Sequence, residues 1–393
     1  MNLKSKLPNI STTIFSVMTK LAADVKAINL GQGFPDFAPA EELIALVNQA
    51  MLDGHNQYPA MPGVLALRQQ IAAKIGALYG AHYDVDEEIT VTSGATEALM
   101  TSIQALVNNG DEVIVIEPYY DLYVPAVQLA GGTPVIVPMD VPNETQDSYS
   151  IDWNKIEDAI SRRTRLIIVN SPHNPTGSVF SEDDLVALET LAEKYQLIVL
   201  SDEVYEHIVF GSTSHLSCSS RAKLRDRSVV ISSFGKTYHT TGWKLGYCVA
   251  PKALMIEIRK VHQFTVFTAP SPFQIAMAKF MVDPSSYQQL PEFYRAKRDY
   301  LSDGLQNTKF RPLASKGTFF TVVDYTAVSD LLEHDFCVAL AKQHGVAAIP
   351  LAAFYASSSA KSSNHGLIRL CFAKHESTLD EALDRLANVQ QVL

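Results

Sequence analysis

Residues 165–205 read RLIIVNSPHNPTGSVFSEDDLVALETLAEKYQLIVLSDEVY, and two apolar runs within them enclose a segment with helical spacing. The runs LIIV and LIVL are apolar at successive positions, which is typical of strands buried on both faces. The segment between them opens on Ser181 and three acidic residues, a pattern typical of the first turn of a helix. Strand, helix and strand in this order predict an α/β fold.

The same kind of apolar run occurs five more times in the middle of the chain. The further runs are EITVTSG, DEVIVIEP, TPVIVPM, SVVISSFG and GYCVAP. Segments with helical spacing lie between several of them, and in one of these Leu99, Ile103 and Leu106 fall on one face. Together with the first two, these runs predict a mainly parallel, seven-stranded sheet covered by helices.

The pattern changes beyond about residue 285. A helical segment at 291–306 is followed by the strand-like runs TFFTVVDY, GVAAIPL and LIRLCFA, and then by a closing helix from Ser377. We therefore expect a large α/β domain over residues 45–285 and a smaller α+β domain formed by residues 1–44 and 286–393.

The composition favours a folded, acidic protein. Apolar residues make up 47% of the 393 residues, and 32 Lys and Arg against 42 Asp and Glu give a net charge of −10. An acidic surface repels nucleic acid and anionic membranes, so neither is an expected partner. The four cysteines lie far apart without a metal-binding spacing, and the N-terminus has no secretory signal pattern. We therefore expect a cytoplasmic protein without a bound metal.

Polar residues stand where five of the predicted strands end. In open α/β sheets, ligands bind outside the carboxyl ends of the strands, so these polar segments are expected to meet at one crevice. They are residues 93–96, 117–120, 170–174, 202–205 and 232–236.

Three groups in these segments have a specific chemical use, although each also has a plain structural explanation. The turn at residues 94–96 opens a helix whose free N–H groups bind phosphate, and it equally suits an ordinary helix cap. Asp202 ends a buried strand and needs a cation or strong donors, which a structural salt bridge also supplies. Lys236 follows an apolar strand, where burial makes an amine nucleophilic unless the side chain extends to solvent.

The order NPTG, SDEVY, SSFGKTYHTTGWKLG and RLCFAK resembles the class I and II aminotransferases that depend on pyridoxal 5′-phosphate (PLP). The segments HNQYPAMPG, EPYYDLY and SFGKTYHTTGW are most similar to the bacterial methionine aminotransferases and the related kynurenine aminotransferase and glutamine transaminase K branch. The resemblance implies the aspartate aminotransferase-like fold of PLP-dependent transferases. It also implies a transaminase that moves the amine of methionine and aromatic amino acids to a 2-oxo acid by a ping-pong mechanism.

The resemblance assigns five residues to the cofactor ring. Lys236 would form a Schiff base with PLP and later carry a proton between substrate and cofactor. Asp202 would keep the pyridine nitrogen protonated, so that the ring can accept electrons. Tyr205 and Asn174 would donate to the phenolate oxygen of the ring, and Tyr120 would stack on its face. Lys236, Asp202 and Tyr205 are thus the implied catalytic residues.

The resemblance also assigns residues to the cofactor phosphate. Within one chain the phosphate would be held by Ala95, Thr96, Ser233 and Lys244. Tyr58 would reach the same phosphate from the partner subunit, which implies a homodimer.

The substrate carboxylate is implied to bind Arg369 through two parallel hydrogen bonds, helped by Asn170 and the backbone of Gly33. Dicarboxylate-specific relatives carry a second arginine in the segment that corresponds to HQFTVFTAP, and none is present here. This segment and Phe15 would instead form an apolar wall that suits methionine and aromatic side chains.

Two alternatives use the same fold. A cysteine-S-conjugate β-lyase would use the same residues, because the same carbanion can eliminate a leaving group from the β carbon, and only product analysis separates the two reactions. A PLP-binding regulator without enzymatic activity would carry a basic DNA-binding domain. The acidic character of this chain favours an enzyme over a regulator.

Overall fold

The computed structural model describes residues 3–143, 147–211, 214–356 and 364–389. The helices are α1 (Ile14–Val25), α2 (Glu41–Leu52), α3 (Leu65–Tyr79), α4 (Gly94–Leu106), α5 (Tyr123–Leu129), α6 (Trp153–Asp158), α7 (Glu182–Lys194), α8 (Ala222–Arg225), α9 (Phe234–Thr237), α10 (Lys252–Thr265), α11 (Ser271–Phe280), α12 (Ser285–Gln288), α13 (Leu290–Leu305), α14 (Glu333–Ala339) and α15 (Glu376–Ala387). Within these ranges, no helix has the length and apolar character needed to cross a bilayer.

The strands form one large sheet and two smaller groups. They are β1 (Ile28–Asn29), β2 (Ile89–Thr92), β3 (Glu112–Glu117), β4 (Thr133–Pro138), β5 (Thr164–Asn170), β6 (Ile198–Asp202), β7 (Ser228–Ser233), β8 (Gly246–Val249), β9 (Arg311–Pro312), β10 (Phe320–Asp324), β11 (Val346–Ala347), β12 (Ile349–Pro350) and β13 (Leu367–Cys371).

The large sheet has seven strands in the order β2-β8-β7-β6-β5-β3-β4. Strands β3 to β7 pair in parallel, and β8 runs antiparallel to both of its neighbours, β2 and β7. The seven strands correspond to the seven apolar runs of the sequence. The predicted α/β fold with a mainly parallel, seven-stranded sheet is therefore confirmed.

Side chains on both faces of this sheet are buried, which explains why the runs are apolar at successive positions. In β5, Leu166 and Ile168 join the hydrophobic cluster that includes α4 and α10, whereas Ile167 and Val169 join the cluster that includes α7. Each such side chain contributes about 1.5–3 kcal/mol when it is fully buried. The capping box at Ser181 and Asp184 confirms the predicted start of α7.

The C-terminal part forms a four-stranded antiparallel sheet in the order β12-β13-β10-β9, and β1 pairs with β11 in parallel. In this smaller sheet Arg369 of β13 lies between Val322 of β10 and Ile349 of β12. The domain boundaries remain a prediction, and the one after residue 44 falls within α2, which packs against α11.

The parallel strands bring their carboxyl ends to one edge of the large sheet. Asn170 pairs with Asp202, and Gly246 pairs with both Ser233 and Thr92. A Cβ atom added at Gly246 would lie 2.8 Å from the carbonyl oxygen of Ser232 and 2.9 Å from the backbone nitrogen of Ala95. The absence of a side chain at Gly246 therefore lets the turn after β2 approach the ends of β7 and β8 closely.

We expect Gly246→Ala to destabilise the protein by about 1–3 kcal/mol, because both crowded atoms belong to the backbone and cannot rotate away. The melting temperature in thermal unfolding measures this effect. Gly242→Ala is the matched control, because Gly242 is exposed and nothing lies within 4 Å of its added Cβ. Equal melting temperatures for the two variants would contradict the close approach.

Candidate active site

One cavity lies at the carboxyl edge of the large sheet, between the ends of β2, β5, β6 and β7. Segments that are far apart in the chain contribute to its wall. Ten of the residues predicted from the sequence line it, namely Ala95, Thr96, Tyr120, Asn170, Asn174, Asp202, Tyr205, Ser233, Lys236 and Lys244.

Asp202, the last residue of β6, is buried in the wall of this cavity. One carboxylate oxygen accepts a hydrogen bond from the Tyr123 hydroxyl at 2.7 Å, and the other accepts one from the Val204 N–H at 3.3 Å. Burial raises the pKa of Asp202 to about 6, and the bond from Tyr123 opposes this rise. Because its ionised form is costly without a cation, this carboxylate favours a positively charged ligand.

Lys236 lies on the short helix α9, directly after β7. Its amine donates a hydrogen bond to the carbonyl oxygen of Gly33 at 3.2 Å and lies 5.5 Å from the ring centre of Tyr205. Burial lowers the pKa of Lys236 to about 8, and the positive charges of Arg369 and Lys244 act in the same direction. An amine with this pKa is partly neutral near physiological pH, so it can act as a nucleophile or a base.

The turn that begins α4 has the features of an anion site. Gly94 adopts a positive φ of 74°, and Ser93 makes no side-chain capping bond to the first N–H groups of the helix. The Lys244 ammonium lies 3.4 Å from the position that a Cβ of Gly94 would occupy. Free N–H groups at a helix start together with a lysine suit a phosphate group.

Two polar groups in the cavity have free hydrogen-bonding capacity. The Tyr205 side chain is buried, and its hydroxyl has no hydrogen-bond partner among the described residues. Asn174 accepts a hydrogen bond from Arg369 through its amide oxygen at 2.7 Å, and its amide nitrogen bonds to none of the residues that the structure covers. Both groups can therefore donate to a ligand in the cavity.

Arg369 adjoins the cavity through Asn174 and is only 1% exposed. One terminal nitrogen donates to Asn174, the other donates to the carbonyl oxygen of Gly31 at 2.8 Å, and the Nε atom has no partner. The guanidinium carbon lies 3.7 Å from the ring centre of Phe320 and 5.3 Å from that of Phe15. Burial lowers the pKa of Arg369 to about 10, so it stays protonated at neutral pH. This buried cation suits a ligand carboxylate.

Two of the predicted residues make contacts in the single chain that differ from their predicted roles. Asn170 lines the cavity, but its amide joins the ends of β5 and β6: it donates to the Asp202 carbonyl at 2.7 Å and accepts from the Asn174 N–H at 2.8 Å. Tyr58 is 84% exposed and packs edge-to-face on Phe267, outside the cavity of its own chain. Contacts of Asn170 with substrate and of Tyr58 with a partner's cofactor remain predictions.

Tyr123 is a site residue that the sequence did not reveal. The segment EPYYDLY contains three tyrosines, and only the folded arrangement shows that the last of them bonds to Asp202. Phe320, the ring against the Arg369 guanidinium, was missed for the same reason, because it lies on a neighbouring strand of the small sheet.

A buried network supports the segment that carries Tyr205. The Glu206 carboxylate accepts hydrogen bonds from Lys74 and Tyr79, each at 2.6 Å, from Tyr247 at 3.2 Å, and from Ser232. Although burial opposes ionisation, Lys74, His207 and Ser232 hold the pKa of Glu206 far below its ordinary value. The network joins the loop after β6 to β7 and β8, and thereby positions Tyr205 relative to Lys236.

Three relatives cover nearly the whole chain. A methionine aminotransferase of Escherichia coli is 48% identical over 384 residues, which are 98% of this chain and 97% of the relative. A probable N-succinyldiaminopimelate aminotransferase of Mycobacterium tuberculosis is 39% identical, over 98% and 97% of the two chains. The human kynurenine–oxoglutarate transaminase 3 is 36% identical, over 96% of this chain and 88% of the relative.

A solved structure gives the same result at the level of the fold. A crystal structure from Escherichia coli, described with a methionine aminotransferase function, matches with a TM-score of 0.94 and 48% identity, covering 98% of this chain and 99% of that chain. The sequence model described as aminotransferase class I and II matches residues 25–386. These matches confirm the resemblance seen in the motifs, and members of this family use PLP. The chain belongs to the class I and II aminotransferases.

Proposed function

We propose that this chain binds PLP in the cavity at the carboxyl edge of the sheet and moves the amine of methionine and aromatic amino acids to a 2-oxo acid. The observation that carries the proposal is that Lys236, Asp202 and the first turn of α4 line one cavity. The names of the 48% identical methionine aminotransferase and of the human kynurenine–oxoglutarate transaminase support this choice of amino acids.

The groups in the cavity fit the chemistry of PLP. Asp202 favours a cation, and a protonated pyridine nitrogen is one. The start of α4 and Lys244 favour an anion, which the phosphate of PLP supplies. Tyr205 and Asn174 have donors free for the phenolate oxygen, and the Lys236 amine is available for the aldehyde carbon. Ala95, Thr96 and Ser233 complete the proposed phosphate site, and Tyr120 is proposed to cover the ring.

The side chains of the cavity have separate tasks in this reaction. When bound, PLP supplies a ring that withdraws electrons from the substrate Cα atom. Lys236 would take the proton from this Cα atom and pass it to the cofactor rather than back to Cα, for which its lowered pKa of about 8 is suited. Asp202 holds its negative charge beside the ring nitrogen, and Arg369 orients the substrate by its carboxylate. The first product leaves before the second substrate enters, as a ping-pong order requires.

We also propose that the enzyme is a cytoplasmic homodimer. Tyr58, Phe264 and Phe267 expose large aromatic surfaces, with 84%, 86% and 43% of each residue accessible in the single chain. Exposed aromatic side chains favour burial against a second copy, which would bring Tyr58 to the partner's phosphate site. The four cysteines are all buried and unpaired, which suits a reducing compartment.

A panel of amino donors with several 2-oxo acid acceptors tests the proposed function. We expect methionine and phenylalanine to have kcat/KM values at least about tenfold above that of aspartate, because the site has a cation for one carboxylate and apolar walls. The products should be the matching oxo acids, whereas pyruvate and a thiol from a cysteine conjugate would indicate a β-lyase. Faster turnover of aspartate would refute the substrate assignment.

Lys236→Ala should keep binding PLP and lose transamination by several orders of magnitude.

Replacing Arg369 with alanine should raise KM for methionine by about tenfold to a hundredfold with a smaller change in kcat, because carboxylate binding is lost in both ground and transition states. Steady-state kinetics over a wide range of methionine concentrations separates the two constants. Arg311→Ala is the matched control, since the Arg311 side chain is exposed and pairs with Asp324 in the small sheet. An unchanged KM in Arg369→Ala would refute the assignment.

Binding of PLP should weaken as Asp202 becomes protonated. The pKa of this carboxyl is about 6 in the cofactor-free protein, so affinity falls as the pH drops through this value. Tyr123→Phe removes a hydrogen bond that lowers the pKa of Asp202, so we expect the decline to begin at a higher pH and the affinity at pH near 6 to be about tenfold lower.

Fluorescence titration of the cofactor-free protein with PLP, repeated at a series of pH values on both sides of the pKa of Asp202, measures this shift. Tyr119→Phe is the control, since Tyr119 lies in the same segment and makes no hydrogen bond to Asp202. If both variants follow the wild-type pH profile, Tyr123 does not tune the carboxyl group.

A further inference from the structure

A carboxylate without an ionic partner stands beside the proposed substrate site. Asp121 lies between β3 and α5, directly after Tyr120. It is partly buried, and no side chain in the described ranges pairs with it or donates a hydrogen bond to it. Its position follows from the fold, because the segment that ends β3 at the carboxyl edge carries Tyr120 and Asp121 together.

Asp121 lines a surface cleft that adjoins the cavity. Tyr120 belongs to the wall of both, and Phe15 lines the cleft together with Asp121. The Phe15 ring centre lies 5.3 Å from the Arg369 guanidinium carbon. Phe15 thus connects the lining of the cleft with Arg369, and we expect the side chain of a bound substrate to extend towards this cleft.

Among the described residues, the lining of this cleft contains the carboxylate of Asp121 and no lysine or arginine. Its histidine, His334, lies 3.2 Å from Asp335. Arg369, on β13 of the small sheet, is a cation whose charge acts on Asp121. Burial raises the pKa of Asp121 and Arg369 opposes the rise, while Asp121 in turn raises the pKa of Arg369. The two groups therefore interact electrostatically, although no ion pair joins them directly.

We propose that Asp121 sets the charge preference for substrate side chains: it disfavours amino acids and 2-oxo acids with a second carboxylate and favours those with neutral or hydrogen-bond-donating side chains. The inference rests on the proposed function, because it takes Arg369 as the ligand of the α-carboxylate. An apolar wall merely fails to attract a second carboxylate. A partly buried carboxylate repels it, and like charges in a partly dehydrated cleft act more strongly than in water.

With this role of Asp121, the enzyme should disfavour glutamate and 2-oxoglutarate relative to methionine and its oxo acid. The two pairs are similar in length and differ at the end of the side chain, where one carries a carboxylate and the other a thioether. Because Asp121 acts on the charge of the ligand, its removal should change the ratio between the two classes rather than the binding of both.

The test compares holoenzyme variants with two unreactive ligands. Glutarate represents a dicarboxylate and 3-phenylpropionate a neutral side chain, and calorimetric titration gives their dissociation constants. For Asp121→Asn we expect the ratio of the glutarate constant to the 3-phenylpropionate constant to fall about tenfold. The kcat/KM of glutamate relative to methionine should rise by a similar factor. Asp121→Glu, which keeps the charge, should retain the wild-type ratios within about twofold.

Asp183→Asn is the matched control for net charge, since Asp183 is an exposed residue in the first turn of α7. It should not shift the ratio. The same shift in Asp183→Asn, or an unchanged ratio in Asp121→Asn, would overturn the inference. Asp121→Ser, which also removes the charge, must shift the ratio in the same direction as Asp121→Asn.

The same measurements separate a failure of this inference from a failure of the proposed function. A wild-type enzyme that transaminates neither methionine nor phenylalanine contradicts the proposed function, and the two dissociation constants still test Asp121. An enzyme that transaminates methionine, with a ratio that Asp121→Asn leaves unchanged, contradicts the role of Asp121 alone.

Discussion

The parallel pairing of β5, β6 and β7 is the constraint on which the site depends. Parallel strands place their carboxyl ends at one edge, and the register sets Asn170 beside Asp202 at that edge. The Asn170 amide then donates to the Asp202 carbonyl and accepts from the Asn174 N–H. A shift of one residue in this register would turn Asp202 to the opposite face of the sheet. The same register therefore positions both the site residues and the buried apolar side chains.

The buried charge that supports the fold around the site has an ionic partner, whereas the buried charges within the site have none among the described residues. Glu206 is bonded by Lys74, Tyr79, Tyr247 and Ser232, and this satisfied network holds the loop after β6 against β7 and β8. Asp202, Lys236 and Arg369 are buried or partly buried, and none forms an ion pair with the residues that the structure describes. Leaving these charges without ionic partners destabilises the ligand-free protein. Such charges are expected where a ligand supplies the missing partner.

The class of fold and most of the cavity could be predicted from the sequence because both depend on local patterns. A strand buried on both faces is apolar at every position, so seven such runs predicted seven strands. The contacts of Tyr123, Phe320 and Asn170 could not be predicted, since each depends on the approach of two elements across the fold. Asp121 escaped notice for another reason, because an aspartate between a strand and a helix is typical of an ordinary loop.

The sequence by itself determined the type of sheet, its strands and the chemical groups that follow them, because hydrophobic burial and chain polarity act over a few residues. Only the tertiary structure decided which of these groups meet. Arg369 bonds to Asn174 across 195 residues, and the Lys236 amine reaches Gly33 across 203. It also decided their ionisation, since the pKa values of Asp202 and Lys236 follow from burial by several elements at once. Such collective burial has no signature in any single segment of the chain.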